Sequence, residues 1–369
     1  MDFSGFADLK IIDGHVHFRG LEWTESILEW MDQVGLASVN LVSTPSLETV
    51  NQNVELVYLK SQYPGRFYAS GGLDYVQAMS NREQMSDVLG GQIHTLQALG
   101  FDGLKLIEGK PTARKWLGIP LDAPAYEGMW AALEELEMPI VCHVADPEEF
   151  WDRERVPDWA VTRDWFYGDG TFPAKEALYA EVDHVLERHP ALKLILAHFY
   201  FLSVDLERAA RFLEAHPLVC LDITPGGEMY NHFTRAGEAA RAFFVRYQDR
   251  IVYGTDVSTR AIQQGGIEAA ASYAYFVRTY LETVEPFTPP PAIPHWLEDD
   301  LAAIVPIALP REALEKIYYG NLERLYGARP APLNREAALL EVARIAEEIE
   351  ATRGAEAENP AREVLARLL

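Results

Sequence analysis

Two histidines end the first apolar run of the chain, and their spacing suits metal chemistry. His15 and His17 are separated by Val16 in a stretch that reads Ile-Ile-Asp-Gly-His-Val-His-Phe. In a β-strand, side chains two residues apart point to the same face, so both imidazoles can be aimed at one point. Paired imidazoles are typical ligands of Zn²⁺ and similar divalent ions. The pair is equally compatible with a buried strand that simply contains two histidines.

Further ligand-type residues lie at or beside the ends of later apolar runs. They are His143, His198 and Asp256. Imidazole nitrogen and carboxylate oxygen together suit a catalytic zinc, which keeps a position open for water and lowers the pKa of that water towards neutrality. Asp256 could bind the metal or take a proton from the water. His198 could polarise the substrate or carry a proton.

The elements that must position these side chains are short apolar runs separated by longer amphipathic stretches. The runs are Lys10–Phe18, Ser38–Ser43, Arg66–Leu73, Asp102–Ile107, Pro139–Val144, Leu192–His198, Leu218–Thr224 and Arg250–Asp256. Such runs are typical of buried parallel strands, and strand–helix units in this series predict a (β/α)₈ TIM barrel of class α/β. Because all strands of a barrel end at one face, the histidines and Asp256 are expected to converge. The apolar runs are not followed by a G-x-G-x-x-G motif, so the sequence does not predict a dinucleotide-binding fold.

The amphipathic stretches predict the helices of the barrel and of a tail. The predicted helices are Thr24–Val34, Ser46–Gln62, Asp122–Glu137, Pro173–His189, Ser203–His216, Asn334–Arg353 and Pro360–Leu369. Thr24, Ser46, Asp122 and Ser203 stand where N-caps belong. We therefore divide the chain into a catalytic barrel over residues 1–327 with extended βα loops and a C-terminal helical extension over 328–369, whose exposed faces would allow a homodimer.

The bulk composition excludes several classes of function. The chain has 369 residues, 49% of them hydrophobic, and a net charge of −24, so it can build a large core while repelling phosphate backbones. Nucleic-acid binding is not expected. Neither a signal peptide nor an apolar run of membrane-spanning length is apparent, and the two cysteines lie in apolar runs without a disulfide pattern. These features predict a cytoplasmic protein that acts on a small molecule.

The order of these motifs resembles the amidohydrolase superfamily, and within it the amidohydrolase-related branch of metal-dependent barrel hydrolases and decarboxylases. The resemblance rests on Asp13–His17, His143, Ala197-His198, Gly254–Asp256 and the late stretch Gly320–Gly327. It implies a metal held by His15, His17, His143 and Asp256, with His198 as a catalytic histidine beside it.

Lys105 leaves the number of metal ions open. Two-metal members of this superfamily place a carboxylated lysine on the fourth strand, where Lys105 lies, and use the histidine of the sixth strand, here His198, as a further ligand. Alternatively, Lys105 could pair with a carboxylate such as Glu108. One ion, expected to be zinc, is favoured because the overall likeness is greatest to the single-metal branch.

The reaction has a leading interpretation and two alternatives. The leading one is hydrolysis of a small, carboxylated lactone, amide or ester by metal-activated water, and the rival is non-oxidative decarboxylation of an aromatic or unsaturated acid on the same site. A non-catalytic barrel with a structural metal or none is the third. Candidate substrate contacts are Arg114, Trp165, Tyr200 and Asp222, of which Asp222 could also orient a ligand histidine.

The remaining histidines are expected to play no part in the chemistry. His184, His189, His216 and His232 lie on or beside helices with polar neighbours and are predicted at the surface. His295, after the eighth run, could reach the site from a lid, although a structural role is expected.

Overall fold

The computed structural model describes residues 1, 3, 5–44, 52–226, 228–293, 297–298, 300–354 and 356–369. The predicted N-cap Ser46 and His295 lie outside these residues. Parallel strands form one curled sheet in the order β8-β7-β6-β5-β4-β3-β2-β1-β9. The strands are β1 Ile12–His17, β2 Ser38–Val42, β3 Phe67–Gly71, β4 Gly103–Gly109, β5 Ile140–Val144, β6 Leu194–Leu196, β7 Cys220–Asp222, β8 Ile251–Val252 and β9 Val257–Ser258.

The eighth strand of the barrel is broken into β8 and β9, and the two halves close the sheet. β8 pairs with β7, whereas β9 pairs with β1. Between them, the Gly14 amide donates to the Tyr253 carbonyl at 2.9 Å, and the Asp256 amide donates to the His15 carbonyl at 3.0 Å. Asp256 adopts φ 57°, in the left-handed region, which interrupts the regular strand. The predicted (β/α)₈ barrel is confirmed, and its last strand continues beyond the predicted end at Asp256.

Helices cover the outside of the barrel. They are α1 Thr24–Val34, α2 Asn53–Gln62, α3 Tyr75–Ser80, α4 Met85–Leu99, α5 Pro111–Leu117, α6 Glu127–Glu135, α7 Asp158–Val161, α8 Lys175–Arg188, α9 Leu206–Ala215, α10 Met229–Ala236, α11 Glu238–Arg246, α12 Thr259–Glu282, α13 Arg311–Glu315, α14 Asn321–Tyr326, α15 Arg335–Arg353 and α16 Pro360–Leu368. In the part of the chain that the structure describes, no helix is both long and apolar enough to cross a membrane.

Three of the predicted helix caps are wrong. Thr24 is the first residue of α1, and its hydroxyl donates to the Leu21 carbonyl at 2.7 Å. Asp122 precedes α6 by a further short turn, and Ser203 precedes α9, whose cap is Asp205. A polar residue just before an apolar pattern is a plausible cap in the sequence, but the path of the preceding loop decides which side chain reaches a free amide.

The two C-terminal helices were predicted to within one residue. The predicted first residue of α15, Asn334, and the predicted last residue of α16, Leu369, lie just outside the observed helices. Asn334 caps α15 by accepting from the Ala337 amide at 3.2 Å. Asn359 caps α16 in the same way, accepting from the Arg362 amide at 3.2 Å. α16 packs against α15 and against α2 of the barrel, so the extension covers one flank of the barrel wall.

Strand alternation sorts the barrel interior into an apolar lower layer and a polar upper layer. The lower layer contains one residue from each of several strands, closed from below by Leu322 and Leu325 of α14. The polar residues lie two positions further along the same strands and therefore point to the same side. His143 lies two residues after Val141, and Asp222 lies two residues after Cys220. The pairing of β1 with β2 shifts register between Asp13 and Val16, just where His15 lies. The polar layer at the carboxyl ends of the strands is therefore where the candidate site forms.

Candidate functional site

The ends of the first and eighth strands bring two histidines and one carboxylate together. His17 Nε2 lies 3.1 Å from Asp256 Oδ1, and His15 Nε2 lies 3.6 Å from the same oxygen. One ligand atom of each residue lies within 4.8 Å of the other two. Gly254 permits this approach, because a Cβ there would meet the Thr224 methyl at 2.7 Å and His15 Cβ at 3.2 Å. Nitrogen and carboxylate donors at this separation fit a divalent ion such as Zn²⁺.

Asp222 fixes the tautomer of His15. Its Oδ2 lies 2.9 Å from His15 Nδ1, and its Oδ1 accepts from the His198 amide at 2.8 Å. Although burial opposes ionisation, the hydrogen bond from His15 holds the pKa of Asp222 below its usual range. An ionised carboxylate can only accept, so Nδ1 of His15 carries the hydrogen and Nε2 keeps a lone pair towards Asp256. Ligand histidines are commonly oriented in this way.

Two further histidines have one ring nitrogen committed to a backbone carbonyl. His143 Nε2 lies 3.0 Å from the Ala145 carbonyl, and His198 Nδ1 lies 3.1 Å from the Thr224 carbonyl. Because carbonyls only accept, the lone pairs remain on His143 Nδ1 and His198 Nε2. The two rings are 4.9 Å apart, and His198 Nε2 lies 3.9 Å from Asp256 Oδ2. His198 therefore lies beside Asp256, and His143 lies beside His198, whereas the ligand atoms found within 4.8 Å of one another belong to His15, His17 and Asp256.

The protonation states of the site favour metal binding over proton binding. Burial lowers the pKa of His15 to about 4 and that of His143 to about 3, so both rings are neutral at neutral pH. Burial alone would raise the pKa of Asp256, but the hydrogen bond with His17 and the nearby imidazoles hold it well below its usual range. Neutral imidazoles and an ionised carboxylate are the forms that ligate metals.

Backbone strain is concentrated at these strand ends. His198, Phe199, Tyr200 and Phe201 have φ values of 54°, 56°, 56° and 49°, forming a continuous left-handed turn directly after β6. Asp256 is also left-handed. For residues other than glycine such conformations cost free energy and are found preferentially at active sites. The strain therefore marks the same residues as the side-chain geometry does.

Lys105 lies inside the site, against a histidine. Its Nζ is 3.0 Å from His15 Nε2, and burial lowers its pKa. Glu108, the carboxylate considered as its partner, instead accepts from the Tyr75 hydroxyl at 2.8 Å. A lysine in this place can contact a molecule bound beside His15. Once carboxylated, it could instead bind the metal ion together with the histidines.

Arg114 and Tyr200, two of the candidate substrate contacts, are not brought to this group. Arg114 on α5 pairs with Glu181 of α8 at 3.0 Å. The left-handed turn directs Tyr200 into the helical layer, where its ring packs 4.6 Å from that of Tyr179. Contact of either residue with a substrate stays a prediction.

Trp165 occupies the long loop after β5, within an aromatic cluster. The cluster comprises Phe150, Ala160 and Tyr167 with Trp151, Val156, Trp159, Trp165 and Phe172. Lys110 Nζ stands 4.4 Å from the Trp165 ring. Trp165 therefore shapes the loop over the site, whereas its contact with substrate stays a prediction.

Asp146 was missed by sequence reasoning. Its carboxylate lies 3.2 Å from His143 Nε2 and accepts from Lys110 Nζ at 2.7 Å and from the Tyr167 hydroxyl at 2.7 Å. The available signal was its position three residues after His143, in the loop that follows β5. It holds the His143 ring and anchors that loop.

One of the histidines expected at the surface is buried. His189 lies between Glu127 and Glu134, with 3.1 Å contacts from its two ring nitrogens. His184 is exposed, as predicted, while His216 and His232 are half-buried. The two glutamates on α6 explain how a polar ring is accommodated away from the site.

The comparisons place this geometry in a known family. A family model described as amidohydrolase matches residues 46–328, which include His143, His198 and Asp256. The sequence has no significant match among curated proteins.

Several solved structures are similar to this chain at low sequence identity. A TIM-barrel protein of Bordetella bronchiseptica is similar with 17% identity and a TM-score of 0.51, over 86% of this chain and 98% of that chain. A 2,6-dihydroxybenzoate decarboxylase from Rhizobium has 15% identity and a TM-score of 0.49, over 86% and 98%. A probable 2-pyrone-4,6-dicarboxylic acid hydrolase from Acinetobacter baumannii has 13% identity and a TM-score of 0.45, over 86% and 100%. The likeness to the Bordetella protein, at 17% identity, concerns the fold alone. The family model, which spans well over half of the sequence, shows that the chain belongs to the amidohydrolase family.

Proposed function

We propose that this protein is a divalent-metal-dependent enzyme that hydrolyses a small ester, lactone or amide. In this proposal His15, His17, His143 and Asp256 hold one ion, expected to be zinc. The observation that carries it is the convergence of His15, His17 and Asp256 within 4.8 Å. The hydrogen bonds of His15 Nδ1 to Asp222 and of His143 Nε2 to the Ala145 carbonyl support it. Each holds the ring hydrogen on one nitrogen and leaves a lone pair on the other for a metal.

The chain's own residues supply the proton transfers. A divalent ion at these ligands would supply Lewis acidity towards a carbonyl oxygen and towards water. Asp256 stays ionised at neutral pH and can accept a proton from the attacking water. His198 Nε2, 3.9 Å from Asp256 Oδ2, can receive that proton and pass it to the leaving group. The Thr224 carbonyl and the strained turn hold the His198 ring in the orientation that this relay needs.

Decarboxylation is a second candidate, and Lys105 is the observation that favours it. Its amino group lies 3.0 Å from His15 Nε2 and, when protonated, can attract a substrate carboxylate or deliver a proton to carbon. The same metal ligands serve both reactions, so only the products distinguish them.

The reaction is tested by a substrate panel on the metal-loaded protein. We expect acid release from at least one class of ester, lactone or amide, and no CO₂ from aromatic acids. Titration of released acid and a coupled CO₂ assay measure the two outcomes, with Asp256→Asn as the inactive control. CO₂ release without hydrolysis would replace the first candidate with the second.

A non-catalytic barrel is the remaining alternative. Structural zinc sites are closed and often rich in cysteine, whereas Cys142 and Cys220 are both buried and free. Left-handed backbone at His198 and Asp256 also costs free energy that a purely structural site has no need to store. Inactivity across the panel, with no bound metal, would favour this alternative.

Replacing Lys105 distinguishes one metal from two. With one ion, Lys105→Met is expected to leave the metal content at wild-type stoichiometry, because the lysine is no ligand. With a carboxylated bridging lysine, the same change would remove metal, and native mass spectrometry of the wild type would show one added CO₂. Lys115→Met, at an exposed lysine on α5, is the control. Metal content is measured by elemental analysis after dialysis, and a loss confined to Lys105→Met would overturn the single-metal arrangement.

A further inference from the structure

The left-handed turn of residues 198–201 is tied to the barrel at its first residue. The His198 amide donates to Asp222 Oδ1 at 2.8 Å, and His198 Nδ1 lies 3.1 Å from the Thr224 carbonyl. Consecutive left-handed residues other than glycine are strained, and strained backbone persists only where the surrounding structure holds it in place. The far end of the turn therefore needs a support of its own.

Helix α8 provides that support through two side chains that lie one helical turn apart. Tyr179 Oη donates to the Tyr200 carbonyl at 3.0 Å, and Lys175 Nζ donates to the Phe201 carbonyl at 3.3 Å. Residues four apart lie on one face of a helix, so both donors reach the same turn. The bond from Tyr179 is buried, whereas Lys175 is only half-buried. The Tyr179 bond is therefore the one that water is less able to replace.

The ring of Tyr179 is itself held in place by two neighbours. Its centre lies 4.6 Å from that of the Tyr200 ring and 4.7 Å from Arg208 Cζ. Arg208 is in turn bound by Glu176 through two hydrogen bonds, at 2.8 and 2.7 Å. Burial raises the pKa of Tyr179, so the hydroxyl keeps its proton and can donate. Tyr179 thus presents a fixed donor to the turn.

The left-handed turn connects this donor to the candidate site through Phe201 and His198. The centre of the Phe201 ring lies 5.3 Å from that of His198 and 5.4 Å from that of His143. His198 Nε2 lies 3.9 Å from Asp256 Oδ2. Because these groups are packed against one another, a displacement of the turn would change the position of the His198 ring relative to the carboxylate.

We propose that Tyr179 is a positioning residue of the candidate site, and that its hydrogen bond to the Tyr200 carbonyl keeps the His198 ring facing Asp256. Tyr179 acts through the left-handed turn and not on the reacting atoms. The inference deepens the proposed function and rests on it for the effect on the reaction rate. The state of the His198 ring, in contrast, can be measured without a substrate.

Tyr179→Phe tests the inference, because it removes the hydroxyl and keeps the ring. In the zinc-loaded full chain with ¹⁵N-labelled histidines, long-range ¹H–¹⁵N spectra report which ring nitrogen of His198 carries the hydrogen. We expect a single tautomer in the wild type, with the hydrogen on Nδ1. In Tyr179→Phe we expect a mixture of both tautomers, seen as convergence of the two ¹⁵N resonances. The His198 signals are assigned by their loss in His198→Gln.

The kinetic consequence is measured on whichever ester, lactone or amide the substrate panel identifies. Tyr179→Phe is expected to lower kcat by about tenfold while KM and metal content stay at wild-type values. Tyr247→Phe is the matched control, because it removes a hydroxyl that donates to Glu214 Oε1 at 2.7 Å, between the end of α11 and α9. It is expected to change neither kcat nor the His198 spectrum. Lys175→Met, which removes the second donor, takes the place of Tyr179→Phe if that variant does not fold.

The outcomes separate this inference from the proposed function. A wild-type His198 spectrum in Tyr179→Phe, whatever the change in kcat or thermal stability, would show that the tyrosine only packs and would overturn the inference. A mixture of tautomers already in the wild type, or a changed spectrum with wild-type kcat, would overturn it too. A changed spectrum in a protein that has neither metal nor activity would leave the hold on His198 standing and remove the proposed function.

Discussion

Replacing His17 with alanine is expected to lower the affinity of the protein for its divalent metal by more than about 100-fold, and to abolish activity, while leaving the fold intact. The His17 side chain is 24% exposed, and its Nε2 contacts Asp256 Oδ1 at 3.1 Å. Truncation therefore removes a ligand without leaving a deep cavity. Metal content after dialysis, competition with a chelator and thermal unfolding measure the three parts of the result.

His184→Ala is the matched control for this change. His184 is 55% exposed and pairs with Asp122 at 2.8 Å on the outside of the barrel. Its removal is expected to change neither metal content nor activity. If His17→Ala binds as much metal as His184→Ala and the wild type, the proposed metal centre is wrong.

Changing Asp222 to asparagine is expected to lower kcat/KM by about 100-fold and to destabilise the protein by about 2–4 kcal/mol. The carboxylate accepts from His15 Nδ1, the His198 amide, and the Thr224 amide and hydroxyl. Asparagine has the same shape but only one accepting oxygen. Its NH₂ group must oppose one of these donors, so His15 loses the partner that keeps its hydrogen on Nδ1 and its lone pair towards Asp256.

The Asp222 prediction is measured by kinetics, by chelator competition and by urea unfolding. Asp249→Asn provides the control, because Asp249 precedes β8 and its side chain is 64% exposed. A variant at Asp222 with the metal affinity and activity of the Asp249 variant would show that the carboxylate does not set the state of His15.

The barrel was predictable because its elements have strong local patterns. The helix Thr24–Val34 was predicted with the bounds that it has, and each predicted strand overlaps an observed one. The division of the eighth strand could not be predicted. It depends on the left-handed conformation of Asp256, a residue type that ordinarily takes other conformations, and on backbone bonds to Gly14 and His15 across the barrel.

The candidate site was predictable in its residue types and only partly in its contacts. Strand parity places His143 and Asp222 inside the barrel, and all strands end at one face. The partner of Lys105 and the direction of Tyr200 depend on distances between strands and on a strained turn, which no spacing encodes.

The seam between β1 and β9 joins parts of the chain that are very distant in sequence. At this seam the Thr255 hydroxyl donates to Asp13 Oδ2 at 2.6 Å, across a sequence separation of 242 residues. The proposed ligands stand on both sides of the seam, so an ion held there would act as a cross-link between the beginning and the end of the barrel. Binding would then be linked to global folding, adding about 2.7 kcal/mol of stability when free metal exceeds its Kd 100-fold. Supply of the ion would in this way determine how long the native chain survives as well as whether it reacts.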